Sequence, residues 1–244
     1  MKTSGNTVLI TGGSAGIGLA IATALSRQHN QVIITGRNQE RLDTVSRQLS
    51  NVTAINCDVT SEKAVNQLIK TVTTDFPQLN MLINNAGHAV AYELSASANA
   101  FEKAADEMLT NYLSVIQLTE KLLPLLSRQE EAALVNVSSV VAFAASKRVP
   151  TYAASKAALH SYTQALRMSV APLHVFELMP PLVNTHFSRE IGGSKGIPPE
   201  QVAEALLDAL VANDYEIHVG DTEKIYQLMR SSPASALQAL NSNL

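Results

Sequence analysis

Seven short runs rich in β-branched residues recur along the chain, each separated from the next by a longer stretch of helical character. The runs are TVLIT (7–11), QVIIT (31–35), VTAIN (52–56), MLIN (81–84), ALVNV (133–137), HVFELM (174–179) and EIHVG (216–220). Between them lie segments such as IGLAIATALSRQ and EKAVNQLIKTVTTDF, whose apolar residues recur at helical spacing. This alternation constrains the fold more than any other feature. A helix inserted between two strands returns the chain to its starting edge, so successive strands run parallel. Right-handed crossovers then lay helices on both faces, giving an α/β, doubly wound parallel sheet of about seven strands. No linker, low-complexity tract or break in composition interrupts the pattern, and a single domain over 1–244 is expected.

Composition removes several classes of function. Hydrophobic residues make up 46 % of the 244 and charged residues 16 %, the balance of a well-cored chain rather than a disordered one. The net charge is −3 with no basic block, so neither nucleic acid nor an anionic membrane is an expected partner. No run approaches the ~20 apolar residues of a membrane span. The apolar run near the first residue, Val8 to Ile10, is far too short for a secretory signal. Cys57 is the only cysteine, which excludes an intrachain disulfide framework and a multi-cysteine zinc site. The six histidines show no metal spacing. A cytoplasmic, metal-free protein is expected.

The sequence VLITGGSAGIGLAIA places Gly12, Gly16 and Gly18 between the first strand and the first helix. Glycines let the backbone turn sharply and approach a phosphate, and the helix start that follows offers free N–H groups and a favourable dipole. In open parallel sheets this first strand-to-helix turn is where a dinucleotide's pyrophosphate sits. A second pattern is Tyr152 and Lys156 in YAASK: residues four apart on a helix share one face about 5–6 Å apart. That spacing suits an ordinary surface pair equally well. Two stretches, 88–100 and 186–199, are the least regular, and the second, HFSREIGGSKGIPP, is expected to form a mobile substrate lid beyond the sixth strand.

TGGSAGIG (11–18), NNAG (84–87), a serine in NVSSVV (136–141) and YAASK (152–156) stand in an order and spacing that resemble the single-domain short-chain dehydrogenase/reductases, with their Rossmann fold. The resemblance covers nearly the whole chain. More loosely, the chain is similar to oxidoreductases encoded beside teichoic-acid D-alanylation genes, a likeness that defines no substrate. The resemblance implies that Tyr152 is the catalytic acid/base, that Lys156 tunes it and holds the nicotinamide ribose, and that a serine hydrogen-bonds the substrate oxygen. Ser139 lies thirteen residues before Tyr152, the family's usual interval, and is preferred to Ser138. Asn111, in MLTNYLSV, matches an asparagine associated with a helix distortion and a proton-relay water. Moving a tyrosine from its ordinary value near ~10 to neutrality costs about 3–5 kcal/mol. A unit charge at ~4 Å and an effective dielectric of ~20 supplies about 4 kcal/mol, so Lys156, helped by the charge of the oxidised nicotinamide, is adequate for the expected downward pull.

The resemblance also implies cofactor contacts at Gly12, Ser14, Gly16, Ile17 and Gly18 of the glycine loop, at Asp58 and Val59, at Asn85, Ala86 and Gly87, at Val183 and Thr185, and at Tyr152 and Lys156 themselves. Two positions depart from the family pattern: Pro181 and Ala142 stand where glycines are common. Which dinucleotide is expected follows from the end of the second strand. There an acid would grip the adenosine ribose, roughly twenty residues after the glycine loop. Gly36 occupies that place and Arg37 follows, leaving room and charge for a 2′-phosphate. NADP(H) is therefore expected over NAD(H), with a small carbonyl or alcohol as substrate. The long segments 103–126 and 152–170 resemble the family's association helices, so a homo-oligomer, dimer or tetramer, is expected. Two rival readings use the same fold: a non-catalytic dinucleotide-binding regulator, and an epimerase or dehydratase with tightly held cofactor.

Overall fold

A computed structural model describes residues 1–242. The seven expected strands are β1 (Thr7–Thr11), β2 (Gln31–Gly36), β3 (Val52–Asn56), β4 (Met81–Asn84), β5 (Ala133–Val137), β6 (His174–Met179) and β7 (Glu216–His218). They pair parallel throughout in the order β3-β2-β1-β4-β5-β6-β7. β2 runs one residue past its expected end, to Gly36, where Cys57 N–H still donates to the Gly36 carbonyl. β7 stops two residues early, because Gly220 at φ 55° turns the chain.

Helices α1 (Gly16–Arg27), α2 (Gln39–Gln48), α3 (Glu62–Asp75), α4 (Ala100–Met108), α5 (Ser114–Leu126), α6 (Pro150–Ser169), α7 (Pro199–Ala212), α8 (Thr222–Ser231) and α9 (Pro233–Ser242) complete the described chain. Among the described residues no helix is long and apolar enough to cross a membrane. Successive strand residues point to opposite faces. Along β1, Val8 and Ile10 enter one core with Ile21 and Leu25 of α1 and Leu206 and Leu210 of α7. Leu9 enters the other, with Leu68 and Val72 of α3 and Leu118 and Leu122 of α5. Each such side chain contributes about 1.5–3 kcal/mol on burial, which is why both strand faces read as apolar.

From β1 the chain winds outward to β2 and β3, then crosses back to β4 and winds the other way. The carboxyl ends of β1 and β4 therefore diverge, and their loops part to form a crevice. Between α4 and α5 the helix widens into a π-turn, Leu109–Leu113, with Asn111 buried inside it. The stretch 186–199 carries two short 3-10 turns, Arg189–Ile191 and Gly193–Lys195. It is tied back by a Val183–Ile197 bridge and by Ser188 Oγ, which donates to the Val183 carbonyl.

Candidate active site

A cleft of about 1010 Å³ follows the carboxyl ends of the strands. At one end lies the glycine loop. Gly12 has φ 66°, and a methyl group there would lie 3.0 Å from both Ala86 Cα and Asn85 Nδ2. No side chain caps the start of α1, so the open N–H groups of its first turn and its positive dipole end border the cleft beside Ala15, Gly16 and Ile17. The NNAG turn is bolted to this loop. Thr11 Oγ1 accepts from the backbone N–H of Asn85 and of Ala86, each at 3.0 Å, and Asn85 Nδ2 donates to Thr11 O at 2.9 Å and Gly12 O at 3.2 Å.

Gly18 corrects the reading from sequence. It does not line the cleft. A methyl group there would sit 2.4 Å from Gly12 O and from Asn85 Nδ2, so its missing side chain lets α1 press against the loop instead of opening a path to a ligand.

Gly12, Ser14, Gly16, Ile17, Arg37, Asp58, Val59, Asn85, Ala86, Gly87, Val183 and Thr185 all line the cleft. Arg37 is joined by Arg41, in the first turn of α2. Partial burial works to raise the Asp58 carboxyl, but hydrogen bonds from Thr60 N–H (2.9 Å) and Thr60 Oγ1 (2.7 Å), with the Arg37 charge, hold it below its ordinary value. Thr185 packs against the start of α1: a methyl group at Gly16 would lie 3.2 Å from Thr185 Cγ2. Pro181 also borders the cleft, and the Pro180 carbonyl still accepts from Val140 N–H at 3.0 Å.

At the other end the cleft brings together Ser139, Tyr152 and Lys156. Ser139 follows β5, and its Oγ accepts from Val141 N–H at 3.3 Å. Ser138 turns the opposite way, because adjacent residues of an extended chain do; its Oγ donates to Glu177 Oε1 at 2.5 Å. Tyr152 sits in the first turn of α6 and Lys156 one turn later, with Nζ 5.6 Å from the Tyr152 ring centroid. Lys156 Nζ donates to Val137 O at 2.8 Å.

Burial pushes the Tyr152 phenol above its ordinary value, hydrogen bonding with the Ser139 side chain opposes this, and the Glu107 charge adds to it. The expected downward pull from Lys156 is not among the causes that act on the phenol, and burial dominates. Burial draws Lys156 down to about 8, against the opposing charge of Glu177.

Asn111 sits in the helix distortion expected of it, the π-turn Leu109–Leu113, and its side chain is committed to neighbouring segments. Its Oδ1 accepts from His88 N–H at 2.7 Å, while Nδ2 donates to His88 O at 2.8 Å and to Ser155 Oγ at 2.9 Å. With its polar atoms so engaged, and 1 % exposed, the side chain ties the loop after β4 to α6 and does not line the cleft.

Sequence reasoning missed Phe187, whose ring centroid lies 5.9 Å from that of Tyr152. It also missed Arg148, whose Nη2 donates to Glu190 O at 2.8 Å, and Leu240, which reaches the cleft from α9. Phe187 stands within a stretch already marked by its irregularity. No local signal marks the other two.

Residues 6–196 match the model of the short chain dehydrogenase family. The chain is 38 % identical over 224 residues to the uncharacterized oxidoreductase DltE of Bacillus subtilis (strain 168), covering 89 % of each protein. It superposes with a TM-score of 0.86 at 26 % identity, covering 98 % of each chain, on a short chain dehydrogenase from Burkholderia cenocepacia J2315 in complex with NADP. A short chain dehydrogenase/reductase from Burkholderia phymatum in complex with NAD shares the fold, with a TM-score of 0.85 at 21 % identity over 94 % of this chain and 93 % of that one. On this evidence the chain belongs to the short chain dehydrogenase family.

Proposed function

We propose that this chain is a cytoplasmic, NADP(H)-dependent oxidoreductase that interconverts a carbonyl and an alcohol, working as one catalytic domain. The observation that carries the reading is the meeting of Ser139, Tyr152 and Lys156 at one end of a cleft whose other end is a glycine loop and an uncapped helix start. A nicotinamide dinucleotide fits the residues between. The space at Gly12 is one a Cβ would fill, the first turn of α1 suits a pyrophosphate, and Arg37 with Arg41 flanks a glycine where a ribose phosphate has room. The NADP-bound relative from Burkholderia cenocepacia supports the same assignment. When bound, the nicotinamide supplies or accepts the hydride.

The chain's own residues handle the proton and the oxygen. Tyr152 donates its phenolic proton to the developing alkoxide, and Ser139 Oγ hydrogen-bonds the same oxygen. Lys156 as an ammonium stabilises the phenolate left behind and grips the ribose hydroxyls. Because burial raises the Tyr152 phenol, the group is protonated at neutrality, which suits carbonyl reduction. Asn111 acts as a positioning residue, holding the loop after β4 against α6. The protein assembles as a homodimer or homotetramer through α4–α5 and α6, where Leu113 (48 % exposed) and Met168 (87 %) lie uncovered.

The test is a panel of aldehydes, ketones and sugars scored for NADPH oxidation, repeated with Tyr152→Phe. The variant should lose turnover while its affinity for NADPH stays within a few fold. Near-native turnover in Tyr152→Phe overturns the mechanism, and binding of NADPH without turnover of any carbonyl favours a dinucleotide-binding regulator.

A further inference from the structure

Beside the cleft, three polar side chains meet where the fold alone asks for none: Ser138, Glu177 and His160. Glu177 lies within β6, fully buried, with Phe176 and Leu178 on either side. Its two oxygens are both engaged. Oε1 accepts from Ser138 Oγ at 2.5 Å, and Oε2 accepts from His160 Nδ1–H at 2.8 Å. Apolar side chains of similar volume would fill this site at least as well, since taking a carboxylate out of water is costly even when it is paired.

Lys156 precedes His160 by one helical turn, and it is 4 % exposed. Its hydrogen bond goes to a neutral acceptor, Val137 O. No carboxylate among the described residues stands within ion-pair distance of it. A buried ammonium in that position needs a negative field from further away.

We propose that Glu177, clamped between Ser138 and His160, is the counter-charge that holds Lys156 as an ammonium, and that the proton on His160 gates this field. The proposal rests on the reading of Lys156 as the cation of the reaction. Glu177 of β6, Glu216 of β7 and Arg167 of α6 act on His160, and Glu107 of α4 acts on Tyr152. Glu216 sits beside Glu177 in the sheet but is paired with Arg167 at 3.0 Å. Glu177 touches both segments that hold Lys156, through His160 one turn further along α6 and through Ser138 next to the Val137 carbonyl that Lys156 bonds, and its charge opposes the burial that draws the amine down.

The gate follows from the 2.8 Å contact between His160 Nδ1 and Glu177 Oε2, which lets the imidazole proton offset the carboxylate. The hydrogen bond to Glu177 raises His160, partial burial opposes it, and the Glu177 and Glu216 charges add to the rise. Protonated His160 neutralises the dyad in acid. As pH climbs, the proton leaves and the dyad becomes a net negative charge. Its field on Lys156 is thus strongest in the alkaline range, where the amine is closest to losing its own proton.

The test is Glu177→Gln, which keeps the shape and the Ser138 contact but removes the charge. The readout is the titration of Lys156 in the unliganded protein, by competitive acetylation and mass spectrometry. It needs no turnover, so it stands even if the oxidoreductase reading fails. The Lys156 midpoint should fall by about one unit, and the alkaline limb of kcat/KM should move down with it while thermal stability at neutral pH identifies any loss of fold. An unchanged midpoint overturns the proposal, whatever happens to activity. His160→Gln keeps the charge on Glu177 and supplies an independent check should Glu177→Gln fail to fold. Lys156 should titrate no lower than in the native protein, and a fall comparable to that expected for Glu177→Gln overturns the proposal.

Discussion

Removing the guanidinium groups beside Gly36 should erase the distinction between NADPH and NADH. Arg37 and Arg41 line the same wall of the cleft, and both are exposed. A hydrogen bond between charged groups contributes roughly 1.5–3 kcal/mol, which is about 12-fold to about 160-fold in affinity. Three features of the site place the expected preference at the low end. Arg37 is open to solvent, its charge is shared with Asp58, and counter-ions screen it over ~8 Å at physiological salt. NADPH should therefore bind the native protein about tenfold more tightly than NADH. Arg37→Ala should remove most of that ratio, and Arg37→Ala with Arg41→Ala all of it. Gly36→Asp should invert it, since the carboxylate accepts from the ribose hydroxyls and repels a phosphate. A side chain there is tight but tolerable: its Cβ would lie 3.0 Å from Ser14 Oγ, a hydroxyl that can rotate away. Isothermal titration calorimetry at low and high salt measures the ratio, which should shrink as salt rises. Equal affinities in the native protein, or a preference untouched by the double substitution, would refute the assignment of Arg37 and Arg41 to the phosphate.

Ser139→Ala should lower kcat severely with little change in melting temperature. Ser138→Ala should do the reverse, destabilising the fold by about 1–3 kcal/mol because Glu177 Oε1 loses its buried donor; steady-state kinetics beside urea unfolding separates the two, and exchanged phenotypes would refute the serine assignment. Gly18→Ala should abolish dinucleotide binding and lower stability although the residue does not line the cleft, since its Cβ would lie 2.4 Å from a backbone oxygen; binding within twofold of native by calorimetry would count against that packing role. His160→Gln should cost most stability in acid. A raised His160 stabilises the fold fully below its unfolded value of ~6.5 and stops doing so as pH rises through its folded value, so chemical unfolding should show the gap between native and variant closing towards alkaline pH. Light scattering at micromolar concentration should show an oligomer, and a monomer would remove the association surface on α4–α5 and α6.

Local pattern carries the architecture of this chain. Each strand is a short, mainly apolar run holding at least one β-branched residue, most of the intervening segments have helical periodicity, and parallel order with right-handed crossovers follows from that alternation. The glycine loop is equally legible, because its position after the first strand fixes which end of the sheet it occupies. The opposite orientation of Ser138 and Ser139 is legible too, since neighbours on an extended chain point apart; that Ser139 is the one that meets substrate is what the family resemblance implies and the serine variants test. The protonation of Tyr152 was not legible: spacing shows that Lys156 is near, while burial, which depends on everything packed around α6, raises the phenol. Gly18 and Asn111 carry the motif yet stand behind the cleft, and only the contact of α1 with Asn85, or of the π-turn with His88 and Ser155, reveals what they hold. Glu177 and His160 are silent in sequence, seventeen residues apart with no motif between them. Periodicity reports which face of an element is buried. It does not report which polar groups on neighbouring elements meet there, because that is decided by sheet order and register once the strands have assembled.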